Sequence, residues 1–322
     1  MRLAIRHLSR FQFDEHATHA LQRLRLRPQS GPSQTVRAWQ VTVDGVEPSL
    51  SYADGFGNRV DLMRHERDKA EVVIVAAGVV ETQDCAGILG QNDGYAPPWL
   101  FERTTELTCA GEAIRALAAA LPIEHRSLDA LHWLMTEVHG RIAYDPNVSP
   151  TPRDAQTVLQ SGVGTSRDHA HVFVAAARAL KIPARYVAGY LLTDVPMQRA
   201  VETMHQASGA AQQTMQMRQQ DAQTLDADAT RMAQGDAARQ PSAARHHALS
   251  GVMPSQAGHA WAEAYVEGLG WVGFDPFMNR CPDERYVRTA AGLDYRDTMP
   301  VHGFGAKLAD VVISVIQSPE LV

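Results

Sequence analysis

Hydrophobic and polar positions change their rhythm along the chain. Up to about residue 83 the period is two: Leu24 and Leu26 alternate with Arg23, Arg25 and Arg27, and Trp39, Val41 and Val43 alternate with Gln40 and Thr42. Alternation of this kind predicts strands with one face on a core. Asp54-Gly55-Phe56-Gly57-Asn58 reads as the turn between strands at 49–53 and 59–63, and a further strand spans 71–80. Short strands separated by turn signals, with no helical run among them, predict an antiparallel β-sandwich over residues 1–95. The alternating arginines read as its solvated face.

Beyond residue 96 helical spacing takes over. The Ala-rich run 111–121 predicts one helix. A second begins at Ser127, with Leu128, Leu131, Leu134, Met135 and Val138 on one face and Gly140 as its stop. Gly162-Val163-Gly164-Thr165 forms a small-residue loop. It leads into a third helix, with Ala170, Phe173, Val174, Ala177 and Leu180 on its apolar face and polar residues opposite. Pro183 ends that helix, and Arg185 to Leu192 reads as a buried strand. His259 to Val266 alternates as a strand, Glu267-Gly268-Leu269-Gly270 turns, and Trp271 to Phe274 returns. A C-terminal strand is expected at 306–317. Helices followed by strands, without strict alternation, predict an α+β core over 96–322.

The core is interrupted at 196–255. No Phe, Tyr or Trp occurs between Tyr190 and Trp261, while Met197, Val201, Met204, Ala211, Met215, Ala222, Leu225 and Met232 follow a heptad-like stripe. The expectation is a mainly helical insert, with a disordered segment as the alternative and self-association through its Met-rich face as a candidate role.

Composition narrows the function. The net charge of −6 and pI near 6.1 argue against nucleic acid or an anionic membrane as partner. Cys85, Cys109 and Cys281 have neither metal-ligand nor disulfide-framework spacing, so no metal or other cofactor is expected. The N-terminal residues carry scattered charge without an apolar run, and no stretch approaches about 20 apolar residues. A cytoplasmic setting follows as the expectation.

Chemistry gathers at three positions. Ser166 opens the helix after the glycine loop, where free backbone N–H groups and the helix dipole favour negative charge. His259 begins one strand of the late hairpin and Asp275 follows the other, so the outer ends of the pair bring them together. A carboxylate on one imidazole nitrogen leaves the other for a nucleophile. Each residue has a plain reading too: Ser166 as a helix cap, His259 as a packed strand histidine, Asp275-Pro276 as a turn. A metallohydrolase built on His169, His171 and His259 is a further reading, although His169 and His171 do not share a helix face.

Taken in order, the glycine loop, the Arg-Asp-His-Ala-His helix, Ile-Pro-Ala-Arg-Tyr-Val-Ala-Gly-Tyr, His-Ala-Trp and Gly-Trp-Val-Gly-Phe-Asp-Pro resemble the bacterial transglutaminase-like family of cysteine-protease-like proteins. Arg6-His7, the 21–28 run and Gly57-Asn58-Arg59 are similar to its N-terminal β domain, and 285–288, 294–297 and Pro300-Val301 to its C-terminal signature. The resemblance implies a papain-like core with a Cys-His-Asp triad at 166, His259 and Asp275, acting on a peptide or amide. This chain has Ser166 where the family has Cys. A thiol is partly ionised near neutrality; a Ser hydroxyl is not and depends on coupled proton transfer to His259. Two function classes follow: acyl transfer or amide hydrolysis, and a peptide- or amide-binding module without chemistry.

Overall fold

The computed structural model describes residues 1–13, 21–64, 70–91, 96–121, 127–148, 151–193, 258–303 and 306–318. The expectations for the 196–255 insert lie outside these residues. In chain order the strands are β1 (Arg2–Phe13), β2 (Leu21–Leu24), β3 (Gln34–Val43), β4 (Leu50–Ala53), β5 (Arg59–Arg64), β6 (Glu71–Thr82), β7 (Ile88–Gly90), β8 (Ala143–Tyr144), β9 (Val163–Gly164), β10 (Ala184–Leu191), β11 (His259–Val266), β12 (Gly270–Phe274), β13 (Tyr286–Gly292), β14 (Val301–His302) and β15 (Ala306–Gln317). The helices are α1 (Glu112–Ala119), α2 (Leu128–Arg141), α3 (Ala155–Ser161), α4 (Ser166–Ala179) and a short α5 (Tyr295–Thr298).

Alternation along β1 buries Leu3, Ile5, His7, Ser9 and Phe11 and turns Arg6 and Arg10 to solvent. Two antiparallel four-stranded sheets, ordered β15-β1-β6-β3 and β14-β2-β5-β4, share a core of Phe11, Leu24, Leu26, Val41, Val43, Val72, Ile74 and Ala76. The turn at 54–58 is held by Asp54 Oδ1, which accepts from the N–H groups of Phe56 and Asn58. The alternating arginines are not a single solvated face. Arg23 is exposed, but Arg25 pairs with Asp54 at 3.0 Å and Arg27 with the buried Asp61 at 2.6 Å. Charge complementarity within the second sheet draws two of the three inward.

The C-terminal strand occupies 306–317, and its partner is β1, from Leu3↔Gln317 to Phe13↔Ala306. The two ends of the chain thus complete one sheet. A third sheet, β13-β10-β11-β12-β7, is packed by the helices. Its outer strand β13 is met by amide side chains from the first two sheets. Gln34 donates to Arg288 O and accepts from Arg288 N–H, and Asn58 does the same with Ala291. Two side chains thereby stand in for a neighbouring strand and satisfy backbone groups that would otherwise be stranded. No helix among the described residues is long and apolar enough to cross a membrane.

The central helix departs from its expected amphipathic form. Every residue of α4 from Asp168 to Arg178 is buried, the polar ones included. Arg178 is tolerated because its guanidinium donates to the carbonyls of Phe101, Ala184 and Leu293 and to Thr108 Oγ1. A buried charge needs such saturation. The neighbouring strands β10 and β11 are covered on both faces, so β11 does not show the half-exposed alternation expected of it.

Candidate active site

Ser166 is the first residue of α4, but the capping falls to its neighbour. Thr165 is the N-cap; its backbone N–H and hydroxyl donate to Asp168 Oδ2 at 2.9 and 3.0 Å. The plain reading of Ser166 as the cap is thus replaced by a Thr165–Asp168 pair. The loop before it is held on both sides. Gly162 ends α3 at φ 65°, a left-handed geometry that suits glycine, and β9 runs parallel to β8. A Cβ on Gly164 would lie 2.8 Å from the Asp168 side chain. His169, one turn along the same helix face, places Nδ1 2.8 Å from Thr165 O and Nε2 3.0 Å from Ile142 O, joining α4 to the entry of β8. Burial holds His169 below the usual histidine range, partly offset by those two carbonyls.

The opposite half of the site comes from the hairpin. Chain reversal at 267–270 sets β11 against β12, with Val266 opposite Gly270 and Ala262 opposite Phe274. Asp275 follows β12 and opens a turn closed by reciprocal backbone bonds to Arg280. Its Oδ1 accepts from the N–H groups of Phe277 and Met278 at 3.0 and 3.1 Å. Its Oδ2 lies 2.5 Å from His259 Nε2 and accepts from the Tyr286 hydroxyl at 2.8 Å. Burial pushes the Asp275 carboxyl up, but His259, Tyr286 and the turn N–H groups outweigh it and hold it below the usual range. An ionised carboxylate only accepts, so His259 Nε2 carries the proton. His259 Nδ1 is buried and has no hydrogen-bond partner among the described residues.

Aromatic rings frame this imidazole. Trp261 lies nearly parallel at 6.2 Å, with Tyr286 at 5.7 Å and Phe277 at 5.9 Å. Phe277 also meets His169 at 5.3 Å and Tyr144 at 5.2 Å, so one ring touches both the hairpin histidine and the first turn of α4. Of the three residues singled out in the sequence, His259 and Asp275 are hydrogen-bonded and Ser166 begins the helix whose His169 shares Phe277 with His259. Phe277 and Arg280 escaped the sequence reading, their only signal being position, close after Asp275. Tyr286 entered it only within the 285–288 run, with no role at the site.

A metal held by His169, His171 and His259 is incompatible with where the imidazoles point. Both nitrogens of His169 face carbonyls, and His171 lies tilted against the Tyr186 ring at 4.8 Å with Nε2 accepting from Tyr295 N–H. His259 gives one nitrogen to Asp275.

Comparison with known proteins gives a consistent picture. The sequence profile of the transglutaminase-like superfamily matches residues 115–276, and that of the bacterial transglutaminase-like N-terminal region matches residues 3–81. An uncharacterized protein of Mycobacterium leprae is 20% identical over 332 aligned residues, covering 98% of both chains. One from Mycobacterium bovis is 23% identical over 322, covering 94% of this chain and 87% of its own. The crystal structure of a "putative cysteine protease" from Cytophaga hutchinsonii shares the fold, with a TM-score of 0.67 at 17% identity, covering 100% of this chain and 92% of that one. With half the chain matched by one profile and the N-terminal sheets by the other, this protein belongs to the transglutaminase-like superfamily.

Proposed function

We propose that position 166, His259 and Asp275 form a nucleophile–imidazole–carboxylate relay for acyl transfer from a peptide or another amide. The observation that carries this is the polarity of His259. Nε2–H is held by an ionised Asp275, so the lone pair of the neutral ring sits on Nδ1, which has no other use among the described residues. In the relay, the residue-166 side chain attacks the carbonyl carbon while Nδ1 takes its proton. N–H groups at the start of α4 favour the oxyanion. Collapse expels the amine, which takes the proton from His259. Water or a second amine then resolves the acyl intermediate. The two N-terminal sheets, read as a sandwich, serve as the scaffold that backs β13.

Ser166 favours a second reading. A hydroxyl in the place of the family's thiol gives slow chemistry or none, and the site then serves to hold a peptide or amide. The Ser166→Cys variant separates the two. Iodoacetamide is expected to modify the introduced thiol faster than Cys85, Cys109 or Cys281; burial pushes the Cys281 thiol up to about 11. The apparent pKa of the introduced thiol should lie below that of a free thiol and rise on His259→Ala. Labelling no faster than a cysteine peptide, and indifferent to His259→Ala, leaves the binding reading alone.

A further inference from the structure

The hydrogen bonds that close on Asp275 have fixed directions. Arg280 Nε can only donate, and it donates to the Tyr286 hydroxyl oxygen at 3.2 Å. The single hydroxyl proton of Tyr286 therefore points to Asp275 Oδ2. Oδ1 is already taken by the two turn N–H groups. Two donors, Tyr286 O–H and His259 Nε2–H, consequently share one carboxylate oxygen. Packing fixes the arrangement: the Tyr286 ring lies 5.4 Å from Trp261 and carries the Arg280 guanidinium 5.7 Å from its centroid.

We infer that Tyr286, polarised by Arg280, is a positioning residue that shares Asp275 Oδ2 with His259 and so sets how strongly the carboxylate holds the imidazole. The inference rests on the proposed roles of position 166, His259 and Asp275. Its physics is competition. Each donor to a carboxylate oxygen withdraws charge from the other, so removing the tyrosine hydroxyl leaves more charge for the imidazole. Burial and the adjacent Asp275 keep the Tyr286 hydroxyl protonated, as a donor must be. The other titratable and charged groups nearby are His169 on α4, His139 of α2, whose Nδ1 approaches the Pro276 and Phe277 carbonyls, and Asp283 behind Arg280. Tyr286→Phe changes none of them.

Two experiments test this. In the Ser166 chain, the His259 Nε2 proton is followed by nuclear magnetic resonance. Tyr286→Phe should move it downfield as the N–H···O bond tightens. Arg280→Met should move it the same way by less, and Arg280→Lys, which keeps a donor-only cation, should restore it. An unmoved resonance in a folded Tyr286→Phe protein overturns the inference. In the Ser166→Cys background, Tyr286→Phe should lower the apparent thiol pKa by about half a unit, because a better-held imidazolium stabilises the thiolate. This is opposite in sign to His259→Ala, whereas simple loss of packing would only raise it. An upward shift or none also overturns the inference. If the introduced thiol shows no activation at all while the resonance moves as expected, the site assignment fails and the coupling of Tyr286 to His259 stands.

Discussion

Two carboxylates on one hairpin, equally buried, are used in opposite ways. Glu263 lies in β11 directly across from Arg185 of β10. Its Oε2 accepts from Arg185 Nε at 2.5 Å, and Oε1 lies 3.1 Å from Arg288 Nε. Arg185 in turn rests 4.0 Å above the Trp271 ring. Burial raises the Glu263 carboxyl, but the two arginines more than reverse this. Burial also brings the Arg185 guanidinium down to about 10, still a cation near neutrality. Among the described residues no arginine side chain is hydrogen-bonded to the Asp275 carboxylate. Its donors are two peptide N–H groups, a hydroxyl and an imidazole. A permanent cation quenches a carboxylate; a titratable partner passes its charge on. On the proposed reading, that difference separates a structural ion pair from a catalytic one at the same burial.

Breaking each carboxylate's pairing should have opposite consequences. Asp275→Asn should leave the fold and, in the Ser166→Cys background, cut acyl-transfer or thiol-labelling rates by a factor that can reach about 10⁴, because the amide no longer fixes the imidazole. Arg185→Leu should do the reverse. Glu263 would remain as a buried charge paired only with Arg288, at a cost of about 3–5 kcal/mol in urea unfolding. The thiol kinetics of the surviving folded fraction should be unchanged. A rate loss from Arg185→Leu comparable to that from Asp275→Asn would show that the two carboxylates are one network.

This contrast was only half visible in the sequence. His259 and Asp275 were legible because the Gly-rich reversal at 267–270 sets strand register locally, and register determines which ends meet. Position 166 was legible because a glycine loop before a helical run marks a helix start. The partners of Asp275 were not legible, because Tyr286 reaches it from a different strand and the two N–H donors depend on the exact turn. The pairing of Glu263 was not legible either, because Arg185 and Arg288 reach it from other strands and β11 is covered on both faces. The pairing of β15 with β1 joins residues about three hundred apart, beyond any local periodicity. Likewise the inward turn of Arg25 and Arg27, just after β2, depends on Asp54 and Asp61, which only the folded second sheet and its 54–58 turn supply.

Acidification should unseat the buried groups in a fixed order. Asp275 and Glu263 are both held below the usual carboxylate range, so their stabilisation is lost only as pH falls below about 4. The histidines act earlier. His7, hydrogen-bonded to Tyr190 and Ser9, is brought down by burial from 6.5 to about 4. Between those values the unfolded chain binds a proton that the folded chain refuses. Stability is therefore complete above pH 6.5 and falls as pH drops towards 4. Between pH 7 and pH 5 this single group should cost about 2 kcal/mol. Urea midpoints of the natural chain and His7→Gln, measured at both pH values, should converge as the medium becomes more acidic. A parallel decline in both proteins would exclude His7 as the source.

The smallest expected effect is the most discriminating. Replacing Arg185 and Glu263 together, by Arg185→Met with Glu263→Leu, removes both buried charges and leaves apolar side chains of similar length. Desolvating two ions costs about as much as their attraction returns, so such exchanges are often close to neutral. What is lost besides is the contact of Arg185 with Trp271, worth about 1–2 kcal/mol when desolvated. Arg288 keeps 28% of its side-chain surface in solvent and can hydrate once Glu263 is gone. The double variant should therefore lie within about 2 kcal/mol of the natural chain in urea unfolding, well above Arg185→Leu alone. The His259 Nε2 proton should not move. The matching exchange at the other carboxylate, His259→Leu with Asp275→Leu, can also fold, but the introduced thiol at position 166 should then label like a free cysteine. If the Arg185–Glu263 exchange also shifted the His259 proton, the hairpin would hold one coupled charge system instead of two.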